Sequence, residues 1–123
     1  DEAILLDHEG FISEGPGSNI FYEKDGELFT PKLGNMLPGI TRSTIMEICE
    51  ELNIKVTEKD ISPEELYKAD HAFFCGTATE ITHISSVNGE KFKKKWDDSI
   101  GHNLLEVYQQ KVMFDEYRGL TIV

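Results

Sequence analysis

The chain has 123 residues, with 23 acidic and 12 basic side chains and a formal net charge of -11. This length is enough for one domain with a modest core. The acidic balance argues against nucleic acid and anionic membranes as partners, because phosphate binding needs clustered Lys and Arg. The sequence contains no apolar run of membrane-spanning length and no signal segment. It begins at Asp1 without Met, and we expect it to be a piece of a longer chain.

Cysteine and histidine patterns give no metal or disulfide signal. Cys49 and Cys75 lie in apolar patterns and are expected to be buried free thiols in a reducing compartment, hence in a cytoplasmic protein. The four histidines are scattered, no cluster has the spacing of metal ligands, and no metal is expected. The basic segment 91–95 is interpreted as a solvated surface loop.

The first part of the chain predicts short strands joined by tight turns. Apolar runs favour strands at 3–6, 11–13, 19–23 and 27–30, and Asp25-Gly26 is a strong hairpin signal between the last two. Residues 33–38 have no period and predict a loop.

The second part predicts helices and further strands. Ile45, Ile48, Cys49 and Leu52 share one helical face, so a helix is expected from Gly39 to about residue 53. A short helix over 63–69 would begin after Ser62 as its N-cap.

Strands are expected at 54–57, 71–76 and 79–86, and a hairpin signal follows at 88–89. A last helix would be capped by residue 98 or 99, and a closing strand is expected at 120–123. The helix and strand order is irregular, which argues against a doubly wound sheet. We therefore expect a mixed α/β (α+β) fold: a small twisted sheet or partial barrel with helices packed outside.

Three stretches could carry chemistry. Glu14 stands at the entrance of the Gly15-Pro16-Gly17 loop, where glycines admit close approach to the main chain. An ordinary surface turn with a solvated Glu is an equal alternative.

The other two stretches could bind an anion. Gly39, Ile40 and Thr41 occupy a helix start, whose free amides and dipole suit a phosphate, although plain capping explains them as well. Thr77 and Ala78 follow an apolar strand, where small residues expose amides and a hydroxyl to an anionic group or form a simple bulge.

In chain order these stretches read Ser-Glu-Gly-Pro-Gly-Ser-Asn-Ile-Phe at 13–21, Leu-Pro-Gly-Ile-Thr-Arg at 37–42 and Gly-Thr-Ala-Thr-Glu at 76–80. With Ala-Ile-Leu-Leu-Asp at 3–7 ahead of them, the set closely resembles the C-terminal part of the class IV aminotransferases, which use pyridoxal 5'-phosphate. Within that family the branched-chain amino acid aminotransferases match best. The resemblance runs over nearly the whole chain.

The resemblance implies a role for each site residue. Glu14 would pair with the protonated pyridine nitrogen, which keeps the ring an electron sink. Gly39, Ile40 and Thr41 would bind the cofactor phosphate, and Asn19 would shape the loop under the cofactor.

Thr77 would add a hydroxyl to the phosphate, and the main chain at Thr77 and Ala78 would receive the substrate carboxylate. The sequence departs from the family at Ser18, where the family usually has Glu, so position 18 is given no role.

The resemblance also implies a domain and a reaction. Residues 1–123 would be the C-terminal cofactor-binding domain of a two-domain enzyme, without the N-terminal domain and without the Schiff-base lysine, which lies upstream in this family. The parent would transfer the amino group between leucine, isoleucine or valine and 2-oxoglutarate, and this chain alone would be inactive.

Two other interpretations stay open. A D-amino acid aminotransferase or an aminodeoxychorismate lyase would share the cofactor site, and the chain could instead be a non-catalytic isolated domain. Because a domain cut from its partner exposes an apolar face, a homodimer or larger homo-oligomer is expected.

Overall fold

The computed structural model describes residues 10, 19–32, 40–76, 80–84, 86–87 and 89–120. The strands are β1 (Asn19–Lys24), β2 (Glu27–Thr30), β3 (Val56–Glu58), β4 (His71–Gly76), β5 (Glu80–His83), β6 (Ser86–Val87) and β7 (Glu90–Lys91). The helices are α1 (Ile40–Glu51), α2 (Pro63–Tyr67) and α3 (Ile100–Leu120), with a 3-10 turn at Trp96–Asp98.

Five strands form the main sheet in the order β3-β2-β1-β4-β5. The β2–β3 pair is parallel and the other pairs are antiparallel. As a result β1 and β5 begin where β2, β3 and β4 end. We call this the front end of the sheet; it carries Asn19, Thr30, Glu58, Gly76 and Glu80. The opposite, back end carries Lys24, Glu27, Val56, His71 and His83.

The core lies on both faces of this sheet. Phe21 and Phe73 are stacked with ring centroids 5.3 Å apart on the face covered by α1 and α3. Ile20 and Phe74 point to the opposite face, where they pack with Leu66 of α2. Because β1 and β4 are covered on both sides, their residues are almost all buried, which explains their unbroken apolar runs.

Local sequence signals explain where several elements begin and end. The Asp25-Gly26 turn has positive φ at both residues and joins β1 to β2 as predicted. Asn53 (φ 59°) ends α1 in the left-handed region. The Ser62 hydroxyl accepts from the Glu65 amide, and the Glu65 carboxylate accepts from the Ser62 amide, which completes a capping box for α2.

The mixed α/β fold class is confirmed, and the sheet is open within the described residues, with β3 and β5 at its sides. The predicted strands at 3–6 and 11–13 and the predicted loop at 33–38 lie outside the described residues. No helix in the described ranges is both long and apolar enough to cross a membrane.

Two sequence predictions about strands differ from the structure. Leu120, the first residue of the predicted closing strand at 120–123, belongs to α3, because no proline interrupts the helical run from Ile100, and residues 121–123 lie outside the described residues. The single strand expected over 79–86 is divided: β5 ends at His83, and Ser86–Val87 pairs with β7. The hairpin signal at 88–89 draws those two residues into a separate two-stranded sheet.

Candidate functional site at the front end of the sheet

The front end brings together the ends of three strands and the start of a helix. Asn19, the first residue of β1, lies opposite Cys75 near the end of β4. Thr30 ends β2 opposite Glu58, which ends β3. The start of α1 is fastened to the same place, because Arg42 Nη2 lies 3.4 Å from the Pro31 carbonyl oxygen. The first residue of β1 and the end of β4 therefore lie at the same end of the sheet as the start of α1.

Three of the predicted site residues lie in the described part of this end. Ile40 and Thr41 are the first two residues of α1, and Thr41 is buried. Their amides belong to the first turn, where α-helical N–H groups have no partner within the helix and the dipole is positive. Asn19 is also buried, and it shares strand parity with Phe21, which faces α1. The structure thus brings Asn19 and Thr41 to one end and one face of the sheet.

The remaining predicted residues, Glu14, Gly39, Thr77 and Ala78, lie outside the described residues. Two of them adjoin the front end in sequence. Gly39 immediately precedes α1, and Thr77 immediately follows Gly76, the last residue of β4.

Thr30 fixes the end of β2 from within the core. Its hydroxyl donates to the Ile20 carbonyl oxygen at 2.7 Å, and its side chain is fully buried. Its own carbonyl accepts from the Lys59 amide at 3.0 Å, just beyond β3. These bonds join three neighbouring strands at the front end and give the start of α1 a rigid base.

Sequence reasoning assigned no role to Arg42, which is almost completely buried at the third position of α1. Its Nη1 lies 3.4 Å from Met46 Sδ, and its Nη2 lies 3.4 Å from Glu58 Oε1 as well as from the Pro31 carbonyl. Its Nε has no hydrogen-bond partner among the described residues. The sequence did contain a signal that Arg42 is unusual, because the charge of an arginine in the first turn of a helix opposes the helix dipole.

The back end is organised around a buried carboxylate. Glu23, at 2% exposure, accepts from the Ile100 amide at 2.8 Å and pairs with the Lys94 ammonium. The hydrogen bond with Glu23 holds the pKa of Lys94 above its usual value, although partial burial opposes the shift. In segment 91–95, interpreted from the sequence as solvated, Lys91, Lys93 and Lys95 are exposed, while Lys94 is 36% exposed and its ammonium is paired with Glu23.

The cysteines are free and buried, as the sequence predicted. Burial raises the pKa of the Cys49 thiol to about 11, so this side chain stays protonated at neutral pH and is a poor nucleophile. Among the described residues no group of three or more His, Cys, Asp or Glu side chains could hold a metal ion.

One surface groove of about 450 Å³ lies along α1 and β3, lined by Ser43, Met46, Glu47, Glu50, Ile54 and Val56. Neither Asn19 nor Thr41 is among its lining residues, and the groove is lined by two carboxylates and no basic side chain, which disfavours an anion. The free amides at the start of α1 favour one.

Comparison with known proteins points the same way. The sequence profile of the amino-transferase class IV family matches residues 1–87. The branched-chain-amino-acid aminotransferase of Pseudomonas aeruginosa is 44% identical over 121 residues, which is 98% of this chain and 38% of that protein. The enzyme of the same name from Escherichia coli K12 is 53% identical over 89 residues, covering 72% of this chain and 29% of that protein.

A solved structure agrees with the sequence relatives. The branched-chain amino acid aminotransferase of Thermobaculum terrenum, in its pyridoxal phosphate form, superposes with a TM-score of 0.87 at 36% identity. The superposition covers 96% of this chain and 39% of that one. The chain thus spans well under half the length of the relatives that it matches.

Proposed function

The chain belongs to the class IV aminotransferase family, and on that premise we propose that it is the C-terminal, cofactor-binding part of a pyridoxal-phosphate-dependent aminotransferase. The observation that carries the proposal is the front end of the sheet. There the start of α1, with buried Thr41, is fastened to the chain just after β2, and Asn19 of β1 pairs with the end of β4. The three sequence motifs that resemble the family's cofactor-binding motifs overlap the start of β1, the start of α1 and the end of β4.

The residues present fit an anionic group. The first turn of α1 contains no acidic side chain, so its amides meet no competing carboxylate from within that turn. Thr41 adds a hydroxyl donor in this turn, and Arg42, the next residue, is a buried cation that fastens the turn to the Pro31 carbonyl. A phosphate at a helix start is bound by this combination of dipole and N–H groups.

The three motifs are proposed to bind two parts of the cofactor, its phosphate and its pyridine ring. Ile40 and Thr41, with Gly39 before them, bind the phosphate, and Thr77 adds a second hydroxyl. Glu14 holds the proton on the pyridine nitrogen. When bound, the cofactor supplies an electron sink for the substrate carbon.

Small residues are proposed to bind the substrate, and the proposed substrates follow the names of the relatives. The main chain at Thr77 and Ala78 receives the substrate carboxylate, and Asn19 supports the loop that carries Glu14. The amino donors proposed are leucine, isoleucine and valine, and the acceptor is 2-oxoglutarate. Both sequence relatives described above carry the branched-chain name.

The reaction is proposed for the intact protein and not for these 123 residues alone. None of the ten lysines in the chain lies in a motif that matches the family's cofactor lysine. The homodimeric assembly and the cytoplasmic location stay predictions; sedimentation of the intact protein tests the first of them.

The direct test is Glu14→Gln in the intact protein, assayed with leucine and 2-oxoglutarate. This change keeps the side chain's size and removes the charge that stabilises the ring proton. We expect transamination to fall by about two orders of magnitude or more while cofactor affinity changes far less, because the interaction acts mainly on the transition state.

The matched control is Glu47→Gln, which removes the same charge from an exposed position of α1. It should leave the rate unchanged. A Glu14→Gln enzyme with a near-normal rate would refute the role of Glu14. Turnover of D-alanine in place of leucine would reassign the substrate class within the same fold.

A further inference from the structure

Arg42 occupies a position that helix stability does not explain. It lies in the first turn of α1, where a positive charge opposes the helix dipole, and its side chain is only 3% exposed. Burying a charge is costly unless it is well paired. Its carboxylate partner, Glu58, is 43% exposed and 3.4 Å away, which makes a weak pair. A residue that breaks local rules in this way is expected at a functional position.

The contacts of Arg42 show what it holds together. Nη2 bridges the Pro31 carbonyl, directly after β2, and Glu58, the last residue of β3. Thr30 and Glu58 are register partners in the parallel β2–β3 pair, so these two strand ends are adjacent. The planar guanidinium therefore fastens the start of α1 to two strand ends at once, which the single ammonium of a lysine does less well.

The charge of Arg42 is not used up by these contacts. Among the described residues, Nη1 contacts the Met46 thioether, a weak acceptor, and Nε has no hydrogen-bond partner. These contacts leave part of the guanidinium's hydrogen-bonding capacity unused, and Arg42 directly follows Thr41 in the sequence. In a buried setting such a charge acts strongly over a few ångströms.

We infer that Arg42 is the positioning residue of the phosphate-binding turn: it fixes the Ile40 and Thr41 amides against the ends of β2 and β3 and supplies a buried positive charge behind them. The inference rests on the proposed function and deepens it.

Comparing two ligands in the intact protein isolates this role. Pyridoxal 5'-phosphate and pyridoxal share the ring and the aldehyde and differ only in the phosphate. Dissociation constants are measured by absorbance titration of the cofactor-free protein. For Arg42→Met we expect binding of pyridoxal 5'-phosphate to weaken by about 10- to 100-fold, because a charge-assisted interaction is lost. Pyridoxal binding should change by less than about threefold, since no contact to the ring is touched.

Further variants separate charge from packing. Arg42→Lys keeps the charge without the planar fork and should recover part of the lost affinity. Lys55→Met removes a cation whose side chain is 73% exposed and whose partner is Glu27 at the back end, and it should change neither affinity. Thermal melts of each cofactor-free variant confirm that it is folded. Should Arg42→Met not fold, Arg42→Lys carries the comparison.

Phosphorus NMR adds a readout that a purely structural role would not move. A free phosphate monoester takes up its second proton near pH 6, and neighbouring positive charge lowers that pKa. The bound phosphate should therefore titrate at lower pH in the wild-type protein than in Arg42→Met.

The outcomes distinguish the role of Arg42 from the assignment of the phosphate site. Equal weakening of both ligands, or no weakening of either, would overturn the role of Arg42 while leaving the cofactor assignment intact. A wild-type protein that binds pyridoxal as tightly as its phosphate would overturn the phosphate site itself, and this inference with it.

Discussion

A helix starts at each end of the central sheet, and the charged side chains at the two helix starts differ. At the back end, the next-to-last residue of β1 is Glu23, whose buried carboxylate accepts from the Ile100 amide of α3. The Ser99 hydroxyl accepts from the His102 amide at 3.2 Å, so this helix start is completed from within the chain. At the front end, α1 starts with a buried arginine and no acid in its first turn.

The difference separates a structural helix start from one suited to a ligand. Both starts have outward N–H groups and a positive dipole end, which favour a negative charge. The chain supplies a negative charge to the start of α3 through Glu23. The start of α1 instead carries Arg42, whose positive charge has the same sign as that end of the helix dipole. Substitutions at the back end should therefore cost stability, whereas those at the front end should cost ligand binding.

The largest stability effect is expected for Glu23→Ala. This change leaves the part-buried Ile100 amide without its acceptor and the Lys94 ammonium, 36% exposed, without its carboxylate partner. Leaving such a donor unsatisfied costs about 1–3 kcal/mol, measured here as the free energy of unfolding in urea.

The control for Glu23 is Glu27→Ala, which removes a carboxylate from the exposed pair with Lys55. It should cost no more than about 1 kcal/mol, the usual range for surface ion pairs. If both variants lose the same stability, the back end does not depend on its buried carboxylate.

The next effect concerns Gly101, at the start of α3. A Cβ there would lie 2.6 Å from Trp96 Cζ3 and 2.7 Å from Phe73 Cδ1. Alanine is the better helix former by about 1 kcal/mol, but overpacking a tight core contact costs about 1–3 kcal/mol. We expect Gly101→Ala to lower the melting temperature.

The exposed Asn103 on the same helix gives the comparison, because Asn103→Ala gains helix propensity without a clash and should hold or raise the melting temperature. A stabilised Gly101→Ala protein would mean that the contact between Trp96 and α3 is loose.

The smallest effect is a pH dependence at His71, which begins β4 at the back end. Burial lowers the pKa of His71, and nearby His83 acts in the same direction, while the hydrogen bond with Ala72 and the charge of Glu23 oppose the shift. The folded protein thus binds this proton less tightly than the unfolded chain. Its contribution to stability is complete above about pH 6.5 and declines as the pH falls towards the lowered pKa.

His71→Phe removes this titration and keeps a ring against Phe92 and Trp96. Urea unfolding at pH 7.5 and at pH 5 should show a smaller loss of stability in acid for the variant than for the wild type. An unchanged acid loss would show that His71 does not cause it. Glu65, whose pKa is lowered by hydrogen bonds from Lys59, Tyr22 and Ser62 that outweigh its burial, does not enter this comparison, because its contribution is lost only below about pH 4.5.

What the sequence could predict was local. The Asp25-Gly26 turn, the Ser62 cap and the apolar face of α1 each depend on residues within one or two turns of chain. The family motifs likewise predicted a phosphate-binding role for Ile40 and Thr41 from residues that adjoin in sequence, and that role stays a prediction.

The rest depends on contacts between distant segments. Lys94 meets Glu23 across 71 residues, and Arg42 meets Glu58 only because β2 and β3 pair in parallel. Such contacts are set by sheet register, which turn and helix signals do not fix. A buried guanidinium and a buried carboxylate therefore looked like ordinary surface charges in the sequence.

The most direct test of this contrast is hydrogen–deuterium exchange of the intact protein with and without pyridoxal 5'-phosphate. A ligand bound through the first turn of α1 should slow exchange in peptides covering residues 40–44. Peptides covering residues 99–103, whose helix start is closed by Glu23 and Ser99, should exchange at the same rate in both states. Unchanged exchange at 40–44, or equal protection at both helix starts, would contradict the assignment of the front end as the phosphate site.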